Sequence, residues 1–475
     1  MADEKVPFNE ILMIFSVEGN KGPLYFRLSN KGDRLNPTVF PCPLENTASI
    51  RKRLLIIMLI GLALRLAVVP FNSYLFEDLL DAQHVHSWEQ GNVARALLAG
   101  KGFGSPFQSD QPSAIMPPIY PLCVAVSFKV FGIHTPLAIY AIHIFDCVVN
   151  VLACIPVFML ARRTVGERVA WWSAWAWAFF PYGIYFAAAW AWSTHILLLC
   201  LCWMLYLAQD MAESPRLKLW LGFGILAGFA ALTEPSVLIT LPVLMGVGLW
   251  QLWRAGKSWF LPGLVATVAV FAMLAPWTIR NAMVFHKFIP MRDSMGLEQW
   301  MGNNGQQTVR WTSDDLHPLH DADELADYNR MGELAYMQHK SEQAHAYISA
   351  HPGLYAITCV RRAIYIWTGY WSFSKNYLAM EPTDPANIPF ATALSGFAIA
   401  GLVLLWRERR MDAIRFGGVM LLLPALYYFA HPEPYHLRPL DPLMGILSCY
   451  AVYRWRARVV EKASAAQLLP MPVEP

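Results

Sequence analysis

The chain consists of repeated apolar stretches, and the basic residues between them follow an alternating pattern. About ten stretches of near-membrane length recur between residues 54 and 455, and a helix needs roughly 20 apolar residues to cross a bilayer. If orientation alternates from the first stretch, nearly all short loops with Arg or Lys fall on one side. Because cytoplasmic loops of membrane proteins carry this excess, both termini are predicted to be cytoplasmic. The basic residues on that side are Arg51, Lys52, Arg53, Arg162, Arg163, Arg168, Arg216, Lys218, Arg254, Lys257, Arg407, Arg409, Arg410, Arg415, Arg454, Arg456 and Arg458.

Composition supports an integral membrane protein. Hydrophobic residues make up 56% of the chain, charged residues 15%, and the mean hydropathy is +0.34. The net charge of +3 is too small to indicate nucleic acid, and the basic residues flank the apolar stretches. The eight cysteines lie mostly inside those stretches without paired spacing, which indicates packing residues rather than a disulfide framework.

The predicted fold is an all-α polytopic membrane protein with about ten transmembrane helices. Residues 51–458 form the membrane domain, followed by a cytoplasmic tail at 459–475. Residues 1–50 lack a signal peptide; they are either a cytoplasmic tail or the product of a start codon placed too far upstream. The predicted spans are 54–71, 137–161, 169–186, 187–208, 219–232, 236–253, 260–275, 388–406, 416–430 and 443–453.

Two long loops, residues 72–136 and 276–388, fall on the external side in this scheme. Each contains a further apolar run, at 119–131 and 354–371. Counting both runs as crossings would move the basic segment 162–168 outside, so both are predicted to be helices at the outer interface. Any chemistry in these loops works where ATP and nucleotide sugars are absent.

The first external loop contains candidates for a general base. Apolar spacing at Val93 and Leu97 predicts a helix that ends before Gly100 and Gly102. A partly desolvated carboxylate near the membrane surface can accept a proton. The alternative is an amphipathic surface helix with ordinary solvated acids. His84 and His86, with no third ligand at a fixed spacing nearby, are weak evidence for a metal site, so neither a metal nor a cofactor is expected. The acids and histidines of this segment are Glu77, Asp78, Asp81, His84, His86 and Glu89.

Arginines on the outer side are few. A guanidinium at or in the membrane needs an anionic partner, and its planar fork suits phosphate. The alternatives are pairing with protein carboxylates or lipid headgroups, and snorkelling. The arginines singled out for this role are Arg65, Arg280, Arg361, Arg362 and Arg438, with Asp146 and Glu234 as possible counter-ions.

Taken in order, these motifs resemble the C-type superfamily of membrane glycosyltransferases, near the protein O-mannosyltransferase and lipid A aminoarabinose transferase families. The resemblance covers about residues 53–458. No single motif decides it, but their order, spacing and membrane side are specific together. The motifs are Leu64-Arg65-Leu66, Ala94-x-x-Leu97-x-x-Gly100-x-Gly102-Phe103 around Lys101, Pro117-Pro118-x-Tyr120-Pro121, Pro276-Trp277-Thr278-Ile279-Arg280-Asn281, Gly302-Asn303, and Arg438-Pro439-x-x-Pro442 just after His436.

The resemblance implies an enzyme that takes a sugar from a polyprenyl-phosphate carrier and places it on an acceptor outside the cytoplasm, with inversion at the anomeric carbon. It implies an acidic base in the first external loop and phosphate-binding arginines, for which Arg65, Arg280, Arg361 and Arg438 are the candidates. Lys101, Tyr120, Glu234 and His436 are further site candidates. Many relatives have an acid where this chain has His86. If that acid has moved one turn, Glu89 is the base, and His86 tunes it or binds the sugar. If not, the base is Asp81, Asp78 or Glu77, or the chain has changed its chemistry.

The expected partners are the lipid-linked donor, the bilayer of the plasma (inner) membrane, and a lipid, glycan or protein acceptor. Two other functions are compatible with many spans. A transporter or flippase of lipid-linked sugars would have polar residues near mid-membrane and matched halves, whereas the polar candidates here cluster on one face. A non-catalytic partner in envelope assembly would not need aligned carboxylates and arginines.

Overall fold

The computed structural model describes residues 47–72, 88–107, 109–305, 316–370 and 384–467, with positions 373, 375 and 378. The chain divides into two units, residues 1–52 and residues 53–475. The first is described only over residues 47–52, which begin a helix. The account below concerns the second unit.

Regular structure in the described residues is helical, apart from one isolated β-bridge between Gly104 and Pro112. Two 3-10 helices cover Pro235–Thr240 and Pro434–Leu440. The α-helices are α1 (Thr47–Asn72), α2 (Glu89–Leu98), α3 (Ile119–Phe131), α4 (Pro136–Leu152), α5 (Cys154–Thr164), α6 (Glu167–Ala178), α7 (Pro181–Ala189), α8 (Thr194–Met211), α9 (Leu217–Thr233), α10 (Leu241–Arg254), α11 (Phe260–Phe285), α12 (Met295–Gly302), α13 (Ala322–Met331), α14 (Glu333–Ala350), α15 (Pro352–Thr368), α16 (Asp384–Glu408), α17 (Arg410–Leu422), α18 (Ala425–Phe429) and α19 (Asp441–Gln467).

Seven helical segments in the described part of the chain are long and apolar enough to cross a membrane. The expected all-α polytopic membrane fold is therefore confirmed, while the count of about ten crossings stays a prediction. Helices α3 and α9 are apolar but shorter. The seven segments are Thr47–Phe71, Pro136–Thr164, Thr194–Met211, Pro235–Arg254, Phe260–Phe285, Pro385–Glu408 and Arg410–Phe429.

Two helices differ from the predicted spans at proline residues. The single span expected at 169–186 is divided into α6 and α7, because Pro181 has no N–H for the carbonyl four residues earlier and keeps Phe180 extended. The span expected to end at residue 275 instead continues through Pro276 to Phe285 as α11. The Thr278 hydroxyl donates to the Leu274 carbonyl at 3.1 Å within this turn.

Small residues bring α9 and α11 close together. A Cβ atom on Gly224 would lie 2.4 Å from the backbone oxygen of Ala266, and one on Gly228 would lie 2.5 Å from Cβ of Met273. Only glycine permits this spacing, as in other close helix pairs of membrane proteins. The contact fixes the ends of both helices relative to each other.

The two long loops, which are predicted to be external, pack against each other. Val93 of α2, Phe107 of the first loop, and Tyr328, Tyr336 and Met337 of α13 and α14 share one buried apolar cluster. The buried Glu333 carboxylate accepts from the Ala114 N–H at 2.7 Å and from the Tyr328 hydroxyl at 3.0 Å. The loops therefore form a packed layer that holds α2 in place.

Candidate active site

Three neighbouring helices separate basic residues at one end from candidate site residues at the other. Arg216 precedes α9 and Glu234 follows it, and the 17 residues of α9 rise about 25 Å. Helix α10 ends at Arg254, far from the Glu234 end at which it begins. Helix α11 leads to Arg292. The polar groups described next thus lie at the end opposite the basic loops.

Glu89, Glu234, Arg292 and Glu298 form what we call the carboxylate–arginine cluster. Arg292 donates from Nη2 to Oε1 of Glu298 at 3.0 Å, and its Nη1 lies 3.7 Å from Oε1 of Glu234. The Nε–H of Arg292 is buried and has no hydrogen-bond partner. One guanidinium is therefore shared by two carboxylates and still has a donor to offer.

Glu89 is the first residue of α2, and its side chain is 16% exposed. Burial raises the pKa of Glu89 to about 8; the charge of Glu298 adds to the rise, and Arg292 opposes it. Burial likewise raises the pKa of Glu234, against the attraction of Arg292. Two carboxyl groups thus hold protons more tightly than a solvated acid does.

Arg292 is placed by the last turns of α11. The chain reverses after His286, which adopts a left-handed conformation with φ of 51°. The Trp277 indole N–H donates to the Met291 carbonyl at 2.6 Å, and the Asn281 amide donates to the Ile289 carbonyl at 3.2 Å. Residues of the Pro276–Asn281 motif therefore hold the segment that carries Arg292.

Two histidines from distant segments flank the cluster. Nε2 of His317 lies 3.6 Å from Oε1 of Glu89. Nδ1 of His431 lies 3.3 Å from Oε2 of Glu298 and 3.2 Å from the Glu298 backbone oxygen. His317 is supplied by the second long loop, and His431 by the segment after α18.

Aromatic rings line the side of the cluster formed by the C-terminal segment. His436 stacks on Tyr427 with ring centroids 3.8 Å apart and an interplanar angle of 8°. Tyr435 contacts Trp190 and Trp192, each at 5.7 Å between centroids. The charges of Glu89 and Glu298 contribute to a raised pKa of Tyr435, whose main cause is burial. These rings therefore lie within electrostatic reach of the cluster.

Of the residues predicted from the sequence, Glu89, Glu234 and His436 come together here. Asp81 and His86, with Glu77, Asp78 and His84, lie outside the described residues. Their roles stay predictions. Among described residues, no group of three or more His, Cys, Asp or Glu side chains is arranged to hold a metal ion.

Arg65 and Tyr120 lie inside the protein with partners of their own. The fully buried Arg65 guanidinium donates to Asn150 Oδ1 and to the backbone oxygens of Gly61, Trp177 and Ala178, at 2.9 to 3.0 Å. The Tyr120 hydroxyl donates to Asp146 at 2.6 Å. Both contacts connect helices of the membrane domain.

The other predicted cations also have protein partners or face outward. Arg280 donates to the backbone oxygens of Ser113 and Phe103 at 2.7 and 2.8 Å. Arg361 is exposed on α15. Their assignment to donor phosphate stays a prediction. The two remaining pairs are Arg438 with Asp441 at 3.3 Å, beneath the Tyr182 ring, and Lys101 with Asp110 at 2.5 Å.

The sequence reasoning missed Arg292, Glu298, His317 and His431. None belongs to a short motif of fixed spacing, and three of them lie in residues 276–388, where the sequence pointed only to Arg280, Arg361, Arg362 and two motifs. The available signal was the position of Arg292 on the predicted outer side, a short distance after α11. By the argument applied to Arg280, it also qualified as a phosphate ligand.

Comparison with known proteins supports a glycosyltransferase class. A family model described as dolichyl-phosphate-mannose-protein mannosyltransferase matches residues 115–279. No curated protein matches the chain in sequence. The match to the family model confirms the predicted resemblance to the C-type superfamily of membrane glycosyltransferases.

Solved structures give the fold. The apo oligosaccharyltransferase of Archaeoglobus fulgidus is 13% identical with a TM-score of 0.51, and the match covers 88% of this chain and 53% of that one. The chain therefore spans about half the length of the archaeal protein. ArnT from Cupriavidus metallidurans, solved with undecaprenyl phosphate, is 14% identical with a TM-score of 0.37, covering 89% of this chain and 82% of that one.

Proposed function

We propose that the protein is a glycosyltransferase that moves a sugar from a polyprenyl-phosphate carrier to an acceptor at the external face of the plasma membrane. The main support is the carboxylate–arginine cluster: a buried acid, Glu89, lies beside an arginine with an unused, buried donor. The class of the protein, and the carriers named for similar enzymes, favour a lipid phosphate as the anion.

In the reaction, Glu89 acts as the general base. It removes the proton of the acceptor hydroxyl as the oxygen attacks the anomeric carbon, which becomes oxocarbenium-like. The carbon–oxygen bond to the carrier phosphate breaks, and the configuration inverts. A base is most effective when its pKa is near the working pH, and the burial that raises the pKa of Glu89 serves this purpose.

Arg292 is the leading candidate for binding the carrier phosphate as it leaves. Its Nε–H is free, and its two carboxylate partners can be exchanged for phosphate oxygens. A guanidinium fork matches a phosphate better than an ammonium does. Arg65, Arg280 and Arg438 remain candidates, but each already makes contacts within the protein.

The test measures sugar transfer by the purified protein. The donors are polyprenyl-phosphate-linked hexoses and pentoses, and the acceptor is a membrane extract of the cells that produce the protein. Glu89→Gln should lower turnover by about 10²–10⁴-fold while carrier binding survives, because it keeps the size of the side chain and removes the base. Glu342→Gln is the matched control, since Glu342 is exposed on α14. Asp81→Asn and Asp78→Asn test the alternative bases.

Three results would count against the proposal. Normal transfer by Glu89→Gln with loss in Asp81→Asn would move the base. Normal transfer by all the acid variants would remove the carboxylate mechanism. If cells lacking the protein neither accumulated a lipid-linked sugar nor lost a glycan, measured by mass spectrometry, a transferase function would be wrong.

A further inference from the structure

The imidazole of His317 has its two ring nitrogens in different environments. The backbone N–H of Leu319 donates to Nδ1 at 3.2 Å. Nε2 points toward Glu89, 3.6 Å from its Oε1. Because a backbone N–H can only donate, Nδ1 must be the unprotonated nitrogen, and a neutral ring carries its hydrogen on Nε2.

The surroundings keep this ring neutral. Its edge packs against Phe107, with centroids 5.2 Å apart and an interplanar angle of 88°. Burial, with the nearby His320 and His431, lowers the pKa of His317 to about 3. The tight turn to Leu319 therefore selects one tautomer, and the neutral ring has an N–H that faces Glu89.

We propose that His317 is a positioning residue for the base, donating its Nε2–H to one oxygen of the Glu89 carboxylate and leaving the other for the acceptor hydroxyl. This inference rests on the proposed function. The present separation is slightly longer than a hydrogen bond, as is common in sites without substrate, where catalytic contacts tighten on binding.

The geometry also excludes His317 as the final proton acceptor. Its Nδ1 is occupied by the Leu319 N–H, and its Nε2 already carries a hydrogen. The proton taken from the acceptor therefore stays on Glu89 until solvent removes it. His317 acts on the carboxylate, and only through it on the reaction.

The hydrogen bond should lower the pKa of Glu89, because donation to a carboxylate favours the charged form. The other charged groups acting on Glu89 are Glu298, which raises its pKa, and Arg292, which lowers it. His320 and His431 face His317 itself. Removing the donor should leave Glu89 more difficult to ionise.

Two substitutions test the two ring nitrogens of His317 separately. In His317→Asn, the side-chain oxygen can replace Nδ1 and keep the Leu319 contact, but no donor reaches Glu89. In His317→Gln, the longer amide can place an N–H where Nε2 now lies. The readout is kcat/KM for sugar transfer by the purified full-length protein between pH 6 and 10, with polyprenyl-phosphate binding measured in parallel to verify folding.

His317→Asn should shift the rise of kcat/KM to higher pH by about one unit and reduce transfer at pH 7 about tenfold. His317→Gln should keep the wild-type midpoint. His339→Asn, a substitution of an exposed histidine on α14, should change neither.

Equal midpoints for wild type and His317→Asn would overturn the inference, as would equal shifts in His317→Asn and His317→Gln. A loss of transfer at every pH with an unchanged midpoint would reveal a purely structural residue and also overturn it. Failure of the proposed function looks different: wild type transfers no sugar, or Glu89→Gln transfers normally.

Discussion

At the residue scale, the environment of Glu89 decides its chemistry. A solvated glutamate is ionised above about pH 5 and needs no help to stay so. Glu89 is buried beside Glu298, and its pKa rises to about 8. The same carboxyl is thereby a stronger base and is ionised only in part at neutral pH.

This raised pKa sets the pH dependence. Since the base must be unprotonated, kcat/KM should increase as pH rises through about 8, rather than through the range of an ordinary carboxyl. The measurement is sugar transfer at limiting donor between pH 5 and 10. The residual activity of Glu89→Gln should not increase with pH in this range. A wild-type midpoint near pH 5 would assign the base to a solvated acid instead.

Arg292 gives a prediction on donor binding. Arg292→Ala should weaken binding of polyprenyl phosphate by about 1.5–3 kcal/mol per lost charged hydrogen bond. Arg292→Lys should recover only part, because an ammonium cannot form the planar fork. Binding can be followed by fluorescence or calorimetry in detergent.

Arg330→Ala is the control for this comparison, since Arg330 is exposed on α13 and pairs with Asp327. If Arg292→Ala bound polyprenyl phosphate with wild-type affinity, Arg280 and Arg438 would be the remaining candidates for the phosphate site.

The sequence was informative about individual acids but not about their neighbours. Glu89 could be selected from its place one turn after His86, before the Gly100-x-Gly102 turn, and Glu234 as a possible counter-ion for the arginines. Glu298 and His317 lie in a long polar loop where acids and histidines are common, so only the folded chain distinguishes them. Arg65 was predicted to bind the donor phosphate; in the fold its donors reach backbone oxygens that a one-dimensional pattern does not reveal.

At the element scale, α11 connects the membrane helices to both long loops. Arg280 holds the first loop through the Phe103 and Ser113 carbonyls, while Trp277 and Asn281 hold the segment before Arg292. One helix end therefore sets the distance between α2, which carries Glu89, and the guanidinium.

Arg280→Ala should loosen the first loop, because two charged hydrogen bonds to its backbone are lost, at about 1.5–3 kcal/mol each as an upper range for a half-buried group. Hydrogen exchange of amides 103–114 should accelerate, with the amides of α9 as internal control. Unchanged exchange combined with lost carrier binding would favour the phosphate role predicted from the sequence.

Helix boundaries were predictable where composition changes and less so where proline acts. The sequence placed helices at 119–131 and 354–371, and α3 and α15 occupy those runs. It did not separate α6 from α7, because apolar residues continue across Pro181. It ended the other span before Pro276, whereas α11 includes that proline. Local backbone chemistry and neighbouring helices decide such cases.

At the scale of the whole molecule, basic loops and the carboxylate–arginine cluster occupy opposite ends of α9, α10 and α11. The positive-inside rule then predicts that the cluster faces outward. A cysteine at position 110 should react with a membrane-impermeant maleimide added outside intact cells, whereas one at position 257 should react only after permeabilisation. Both positions are exposed. The reverse result would invert the molecule and exclude an external donor site.

The chain order of the cluster has a consequence for biosynthesis. Glu89, Glu234 and Glu298 leave the ribosome well before His431 and the aromatic rings that follow it. A nascent chain that stalls before α18 has the three acids of the cluster but lacks the segment with His431 and the aromatic rings. On the proposed function, unfinished chains cannot consume the lipid-linked sugar pool, and the enzyme becomes active only when translation is nearly complete.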